Sequence, residues 1–454
     1  MKPKELVALI WGIEAGRVRQ DPRGRLSFTY DAAWRRREDA VPLSLSMPLA
    51  AADHGHVPVD AFLWGLLPDN ELVLDRWGRR FHVSPGNPFA LLSQVGEDCA
   101  GAVQFALPER ADGLREAGEP EVEWIPEQEV VARLRALRED HAAWRIPRDT
   151  GQFSLAGSQP KTALLREEGR WGVPSGRTPT THILKPPMPG LDGHPENEHF
   201  CLELARALGL AAADSEVRRF GEEVAIVVAR YDRVRTADLA ASEAAAGAAA
   251  RAEALRALAR TQPVLRLHQE DLCQALGVRP TLKYQNEGGP SPSDIAELLR
   301  EHSGSPMEDV AAFADALAFH WLIGGTDAHA KNYSILHGAG GRVRLAPLYD
   351  LASALPYPDM DTRRIKLAMK VGSEYRLDHI ARRHWIELAG ELGLDPSSML
   401  ERIAVLASSV AAEVPGLVGQ VTSEGLVHPI VGKLSSLILA RAERCGQWLG
   451  ETEP

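Results

Sequence analysis

What most restricts the fold of this chain is where its hydrophobic period changes along the sequence. Up to about residue 107, short alternating runs such as LVALIWG and GRLSFTY are separated by turn signals such as PRG, which marks a strand-rich unit. Inside it, AFLWGLLPDN is a short helical pattern closed by Pro68 and Asp69, and VGEDCAGAVQFALP ends the unit with a glycine-rich turn and a strand. From RWGVP through THILKPP the period is again that of strands. ENEHFCLELARALGL then switches to a helix, with Phe200, Leu204 and Leu208 on one face and Gly209 placed to stop it. EVAIVVARYDRV returns to strand. Beyond it LHQEDLCQALGV, SDIAELLREHSG and EDVAAFADALAFHWLIGG are helical in period, two strands are expected around HGAGG, and the chain from about 380 is mainly helical. Strands and helices segregated in this way imply an α+β architecture.

A chain of 454 residues has room for two or three units with their own cores. The expected division is a β-rich unit at 1–107, a charged connector at 108–143, a β-rich unit at 144–262 and a helical one at 263–454. The connector reading comes from ERADGLREAGEPEVEWIPEQE, which is punctuated by glycine and proline. Residues 237–260 form an alanine-rich stretch, expected as an exposed helix or loose insertion. With 44% hydrophobic and 25% charged residues the mix is that of a soluble globular protein. No run approaches the roughly 18 consecutive apolar residues of a membrane span. The start, MKPKELVALIWGIEAGRV, faintly imitates a signal peptide, but Glu14 interrupts it and no small-residue cleavage site follows, so it reads as an opening strand. Cys99, Cys201, Cys273 and Cys445 are scattered without a CxxC pair, which fits neither zinc nor a disulfide framework and suits a reducing cytoplasm. A net charge of −11 argues against a large nucleic-acid surface, although Arg363, Arg364 and Lys366 form a local basic patch.

The segment GGTDAHAKNYSILHGAGGRVRLAPLYDLASALPY carries the most chemical information. A helix ends at Gly324–Gly325, Asp327 lies in the loop beyond, Asn332 follows five positions later, and the strand pair leads to Asp350. Kinase catalytic loops place an Asp and an Asn at this spacing and a metal-binding Asp after a hairpin. Phosphoryl transfer is mainly positioning and charge neutralisation: one carboxylate must orient the attacking hydroxyl and take its proton, while a second carboxylate and an amide oxygen hold magnesium. His329 echoes the D-x-H-x-x-N loops of lipid kinases, which casts it as a phosphate-steadying group. An Asp cap or an Asn turn is common by itself. The three together, in this order of elements, are not.

A second constellation is FSLAGSQPKTALL. It holds Gly157, Lys161 and Thr162 but lacks the GxxxxGK[ST] spacing of a Walker loop. A glycine turn between strands can still aim N–H groups at phosphates. Lys161 is then a neutralising charge. Lys185, in THILK, resembles the strand lysine that pairs with nucleotide phosphates in kinases. Glu198 opens the next helix, where it is either the lysine's partner or a first-turn acid favoured by the helix dipole.

Taken together, SLAGSQPKTALL, PTTHILKPP, NEHFCLELARALGL, ARYDR, RLHQEDLCQALG, KYQNEGGPS, WLIGGTDAHAKNYS and PLYDLASALPY resemble the HipA family in consistent order, as do LLPDN and LLSQVGEDCAGAVQF near the start. The resemblance implies a two-lobed protein-kinase-like fold with a β-rich N-terminal subdomain and a mainly helical C-terminal lobe. It implies transfer of the ATP γ-phosphate to serine or threonine of a protein, with an aminoacyl-tRNA synthetase as the type of target and growth arrest as the result. In these terms Asp327 is the catalytic base and Asn332 and Asp350 hold Mg2+. Ala156, Gly157, Ser158, Gln159, Pro160 and Lys161 form the phosphate loop, Lys185 contacts the nucleotide, and Ala229, Arg230 and Tyr231 form the adenine hinge. His329, Lys331 and Tyr349 complete the ATP-binding positions. Family members often have Glu where Ala229 stands, a small departure, since a hinge recognises adenine through backbone groups. Ser154 matches the autophosphorylated serine, whose phosphate would add about −1.5 to −2 charge beside the loop and eject it. A small helix-turn-helix antitoxin, HipB-like, is the implied partner; DNA is reached only through it, and no membrane is involved. Two other readings stay open: a small-molecule kinase, since antibiotic- and choline-type kinases share the Asp…Asn…Asp layout, and a non-catalytic corepressor that supports an antitoxin on DNA.

Overall fold

The computed structural model describes residues 4–115, 121–144, 153–245, 253, 262–338, 341–357 and 364–450. The first hairpin joins β1 (Lys4–Ile10) to β2 (Ile13–Gln20) through Trp11 and Gly12, both at positive φ (54° and 76°). Such a two-residue turn matches the strands' right-handed twist and fixes the register, Ile10 opposite Ile13. With β3 (Leu26–Tyr30), β4 (Asp53–His54) and β5 (Val103–Ala106) the order is β4-β3-β2-β1-β5, all antiparallel. The opening apolar run is therefore an inner strand, with Leu6, Val7, Ala8, Leu9 and Ile10 buried.

A second antiparallel sheet has the order β10-β11-β9-β7-β8-β6. Its members are β6 (Val122–Ile125), β7 (Thr162–Glu167), β8 (Arg170–Pro174), β9 (His182–Lys185), β10 (Ser215–Phe220) and β11 (Glu223–Ala229). This corrects the connector reading of 108–143. Val122–Ile125 is a paired strand, and helix Glu127–Glu139 buries Val130, Leu134 and Leu137. The stretch looked like a linker because β6 is an edge strand with a half-exposed face, where charged residues serve to blunt the edge. The boundary at 144 shifts as well, since Trp144, Phe153 and Leu155 pack into the first unit's core. Of the alanine-rich stretch, helix Thr236–Ala245 is seen; most of the remainder, like Arg363 of the basic patch, lies outside the described residues.

The helical lobe is built round helix Pro306–Ile323, from Val310, Phe313 and Leu317 to Trp321, Leu322 and Ile323 buried. Gly324 ends it in the left-handed region (φ 67°), donating to the His320 carbonyl. That turn releases the loop carrying Asp327. A short ladder, β14 (Gln269–Asp271), β15 (Ser334–His337) and β16 (Val343–Leu345), lies beside it. It follows the small pair β12 (Arg233–Arg235) and β13 (Val264–Arg266), and it precedes the hairpin β17 (Lys366–Val371) and β18 (Glu374–Arg376). The helical reading of LHQEDLCQALGV is thus corrected: Gln269–Asp271 pairs with residues more than sixty positions away, and only Leu272–Ala275 is helical, under an Asp271/Gln274 capping box. Helix Pro396–Ser423 is apolar and long enough to cross a membrane by composition, yet Met399, Ile403, Val410, Val414, Leu417 and Val421 are buried in this lobe's core.

Candidate active site

A cleft of about 490 Å³ opens where the first unit, the second sheet and the helical lobe meet. Of the residues singled out in the sequence, Ala156–Gln159, Lys161, Lys185, Glu198, Ala229–Tyr231, Asp327, His329, Lys331, Asn332, Tyr349 and Asp350 all line it. Pro160 and Ser154 do not.

Lys185 ends β9 with its ammonium between two carboxylates, Glu198 Oε1 at 2.6 Å and Asp350 Oδ1. Of the two readings of Glu198, that of the lysine's partner is the one present, and both side chains are buried (4% and 2% exposed). Burial pushes Glu198 up against the pull of Lys185. For Asp350, burial is outweighed by Lys185 and Lys161, so its carboxyl stays well below the usual range. Asp350 is also one of the few non-glycine residues at positive φ (53°) among those described, a strained backbone of the kind that clusters at working sites. Lys161 is buried beside this group, donates to the Ala156 carbonyl at 2.7 Å and faces the Trp144 ring. Burial lowers it to about 8, partly countered by Asp350.

On the other wall, Asp327 is 68% exposed and accepts a 2.7 Å hydrogen bond from the Tyr284 hydroxyl. Asn332 donates its amide N–H to the Asp327 carbonyl at 2.7 Å, closing the D-x-x-x-x-N loop and leaving its side-chain oxygen for a cation. His329 is buried edge-on to Tyr284, and burial lowers it to about 4. It is therefore neutral at pH 7 and would steady a phosphate by hydrogen bonding rather than by charge. Among the described residues, no group of three or more His, Cys, Asp or Glu is placed to hold a metal. Magnesium needs fewer protein ligands, one or two oxygens plus phosphates, and Asp350 with Asn332 fits that pattern.

The hinge expectation is refined at Arg230. Its N–H donates to the Thr181 carbonyl at 2.9 Å, and its guanidinium runs to Thr180, Cys99 and Asp232. Its charge thus serves the joint between units and not the nucleotide. Tyr231 and Tyr349 stack at 5.8 Å, and the Tyr349 hydroxyl donates to the Lys331 carbonyl. Ser154 is fully buried: its hydroxyl donates to the Leu66 carbonyl at 2.7 Å and its N–H to that of Asp98 at 3.0 Å.

Sequence reasoning assigned no site role to Asp69, Lys283 or Tyr284. Asp69 is read there only as closing a short helical pattern, and Lys283 and Tyr284 sit in KYQNEGGPS, a stretch noticed only as a family match. Asp69 enters the cleft from the first unit and pairs with Lys331 (2.7 Å) and Lys283 (3.2 Å).

A family model described as the HipA-like C-terminal domain matches residues 153–414, and one described as the HipA N-terminal domain matches residues 6–106. Y4mE of Sinorhizobium fredii, a protein with a kinase name, is 38% identical over 413 residues, covering 89% of this chain and 90% of that one. The serine/threonine-protein kinase toxin HipA of Shewanella oneidensis is 29% identical over 435 residues, covering 91% and 89%. Among solved structures, a complex of Shewanella oneidensis HipA, HipB and operator DNA matches with a TM-score of 0.78 at 26% identity, covering 99% of this chain and 100% of that one.

Proposed function

The chain belongs to the HipA family, and from that premise we propose that it is an ATP-dependent protein serine/threonine kinase acting as the toxin of a toxin–antitoxin pair. The observation that carries this reading is the convergence of Asp327, Asn332 and Asp350 with the Lys185–Glu198 pair on one cleft. In the proposed reaction ATP lies with its phosphates between the 156–161 turn and the catalytic loop. Lys185 and Lys161 draw the phosphates in, and Tyr231 and Tyr349 flank the hinge. Asp327, oriented by Tyr284, accepts the proton of an incoming seryl or threonyl hydroxyl as its oxygen bonds to the γ-phosphorus and ADP leaves. Asp350 and Asn332 supply the oxygens that would hold magnesium, whose chemistry is neutralisation of phosphate charge.

Ser154 is proposed as the autophosphorylation site. Its hydroxyl is closed off in this arrangement, so modification requires the 153–161 segment to leave its seat. A phosphate there would keep it out by repulsion and by bulk. The target is proposed to be a protein of translation, with an aminoacyl-tRNA synthetase as the leading class, and growth arrest or persistence as the consequence. The partner is proposed to be a HipB-like antitoxin that makes the DNA contacts itself, and the setting the cytoplasm.

Incubation with magnesium and γ-labelled ATP should place label on Ser154, and Asp327→Asn should reduce transfer by about a thousandfold or more while ATP still binds. Equal labelling of the two proteins, or ATP consumption driven by a small alcohol with no protein labelled, would count against the reading.

A further inference from the structure

Among the described residues, the first unit reaches the cleft with a single carboxylate, Asp69. Asp69 follows Pro68 just beyond helix His56–Gly65, and its side chain is 13% exposed. It grips Lys331 at 2.7 Å and Lys283 at 3.2 Å, while its main-chain N–H donates to the Gly157 carbonyl at 3.0 Å. Both lysines are next to residues that the reaction needs. Lys331 immediately precedes Asn332, and Lys283 immediately precedes Tyr284, which holds Asp327. The two turns are also joined directly, Ala330 N–H to the Lys283 carbonyl at 3.3 Å. One residue therefore ties the catalytic loop from two sides and docks the phosphate turn to the same peptide.

Charge points the same way. Lys331 is buried, and a buried ammonium stripped of its partner is costly. Without Asp69 the other carboxylate that acts on it is Asp271, and a bound nucleotide would add the charge of its phosphates. Attraction of that kind would tighten ATP binding in the ground state without improving alignment, and such uniform binding does not raise the rate.

We propose that Asp69 is a positioning residue for phosphoryl transfer, holding Lys331 and Lys283 so that Asn332 and Asp327 stay aligned on the terminal phosphate. The N-terminal unit is then part of the catalytic apparatus and not an appendage. This inference rests on the kinase reading above.

The test uses the full chain with Asp69→Asn, which keeps the side-chain volume and the main-chain N–H. ADP formation at saturating magnesium-ATP should fall by about tenfold to a hundredfold, with an ATP Kd by calorimetry no weaker than that of the parent. Lys331→Met should also be slow, and the double variant Asp69→Asn with Lys331→Met should lose less than the product of the two single losses, because Asp69 acts in part through Lys331 and in part through Lys283. A parent-like rate in Asp69→Asn, a loss confined to Kd, or multiplicative losses in the double variant would overturn the proposal. Should Asp69→Asn fail to fold, Lys283→Gln asks the same question: slowed turnover at saturation supports the positioning role, and a parent-like rate overturns it. Asp327→Asn run alongside separates the two layers. If it remains active the kinase reading falls; if it is dead while Asp69→Asn is parent-like, only the role of Asp69 falls.

Discussion

Two buried charge clusters, built from the same residue types, behave differently. At the joint between the first unit and the second sheet, Asp98 accepts from Thr180 N–H (2.9 Å), Thr180 Oγ1 (2.6 Å), Arg233 (3.0 Å) and Arg266. Asp232 accepts from Gly101 N–H (2.7 Å), Arg230 and Arg233, and the arginines also reach the Cys99 and Gly101 carbonyls. Both carboxylates are enclosed on all sides by donors. Three arginines face two aspartates, and Arg233 is lowered to about 10 by burial and by neighbouring Arg230. In the cleft, Glu198 Oε2, His329 Nδ1 and Gln159 Nε2 are buried without partners, and Asp327 stands mostly in solvent. A buried polar atom with no partner costs free energy. Arg233 Nε is such an atom at the joint, but both aspartates there are saturated by donors, so the joint's carboxylates read as completed on folding and the cleft's polar groups as completed by a ligand. Saturated charge holds units together. Unsaturated charge awaits chemistry.

The largest expected effect that would break this contrast lies at the joint. Asp98→Ala leaves buried Arg266 without its carboxylate and Asp232 alone to face three arginines, and should cost about 3–5 kcal/mol in denaturant-induced unfolding, whereas Asp327→Asn should leave the unfolding midpoint nearly unchanged. Comparable midpoints for the two would erase the distinction. Next in size is Tyr284→Phe, which removes one hydrogen bond to the Asp327 carboxylate; turnover at saturating ATP should drop about threefold to tenfold, with ATP affinity and unfolding preserved. A parent-like rate would show that Asp327 needs no orienting partner.

The smallest effect sharpens the electrostatic side. Lys161, lowered to about 8 by burial, sheds its proton from about pH 8 upward in the free protein. Phosphate binding favours the charged form, so nucleotide binding takes up a proton and affinity weakens as pH rises through this range. The ATP Kd should rise by about threefold to tenfold between pH 7.5 and 9, and Lys161→Met should bind more weakly but without that slope. A flat parental profile would remove Lys161 from the set of phosphate-neutralising charges.

Much of the site was legible because it is local. The Asp327–Asn332 spacing lies within one loop, Asp350 ends the excursion after a short hairpin, and Lys185 and Glu198 are thirteen residues apart on adjoining elements. The long helices were legible for the same reason, through their period. The destination of the Arg230 side chain was not legible, because its neighbours in sequence line the cleft while its guanidinium turns to Cys99, about 130 positions earlier. The edge strand Val122–Ile125 and the paired Gln269–Asp271 were hidden because three or four residues carry too little pattern to announce a distant partner.

Runs of side chains and the spacing of loop residues thus sufficed for the class of fold and for which local residues gather at the cleft, since backbone preference and short-range geometry act over a few residues. The pairing of Asp69 with Lys331 and Lys283 in the cleft, and of the arginines with the joint, came instead from the docking of separately folded units. A charge-pair partner more than two hundred residues away is selected by shape and burial where surfaces meet, and no local stretch of chain carries that information.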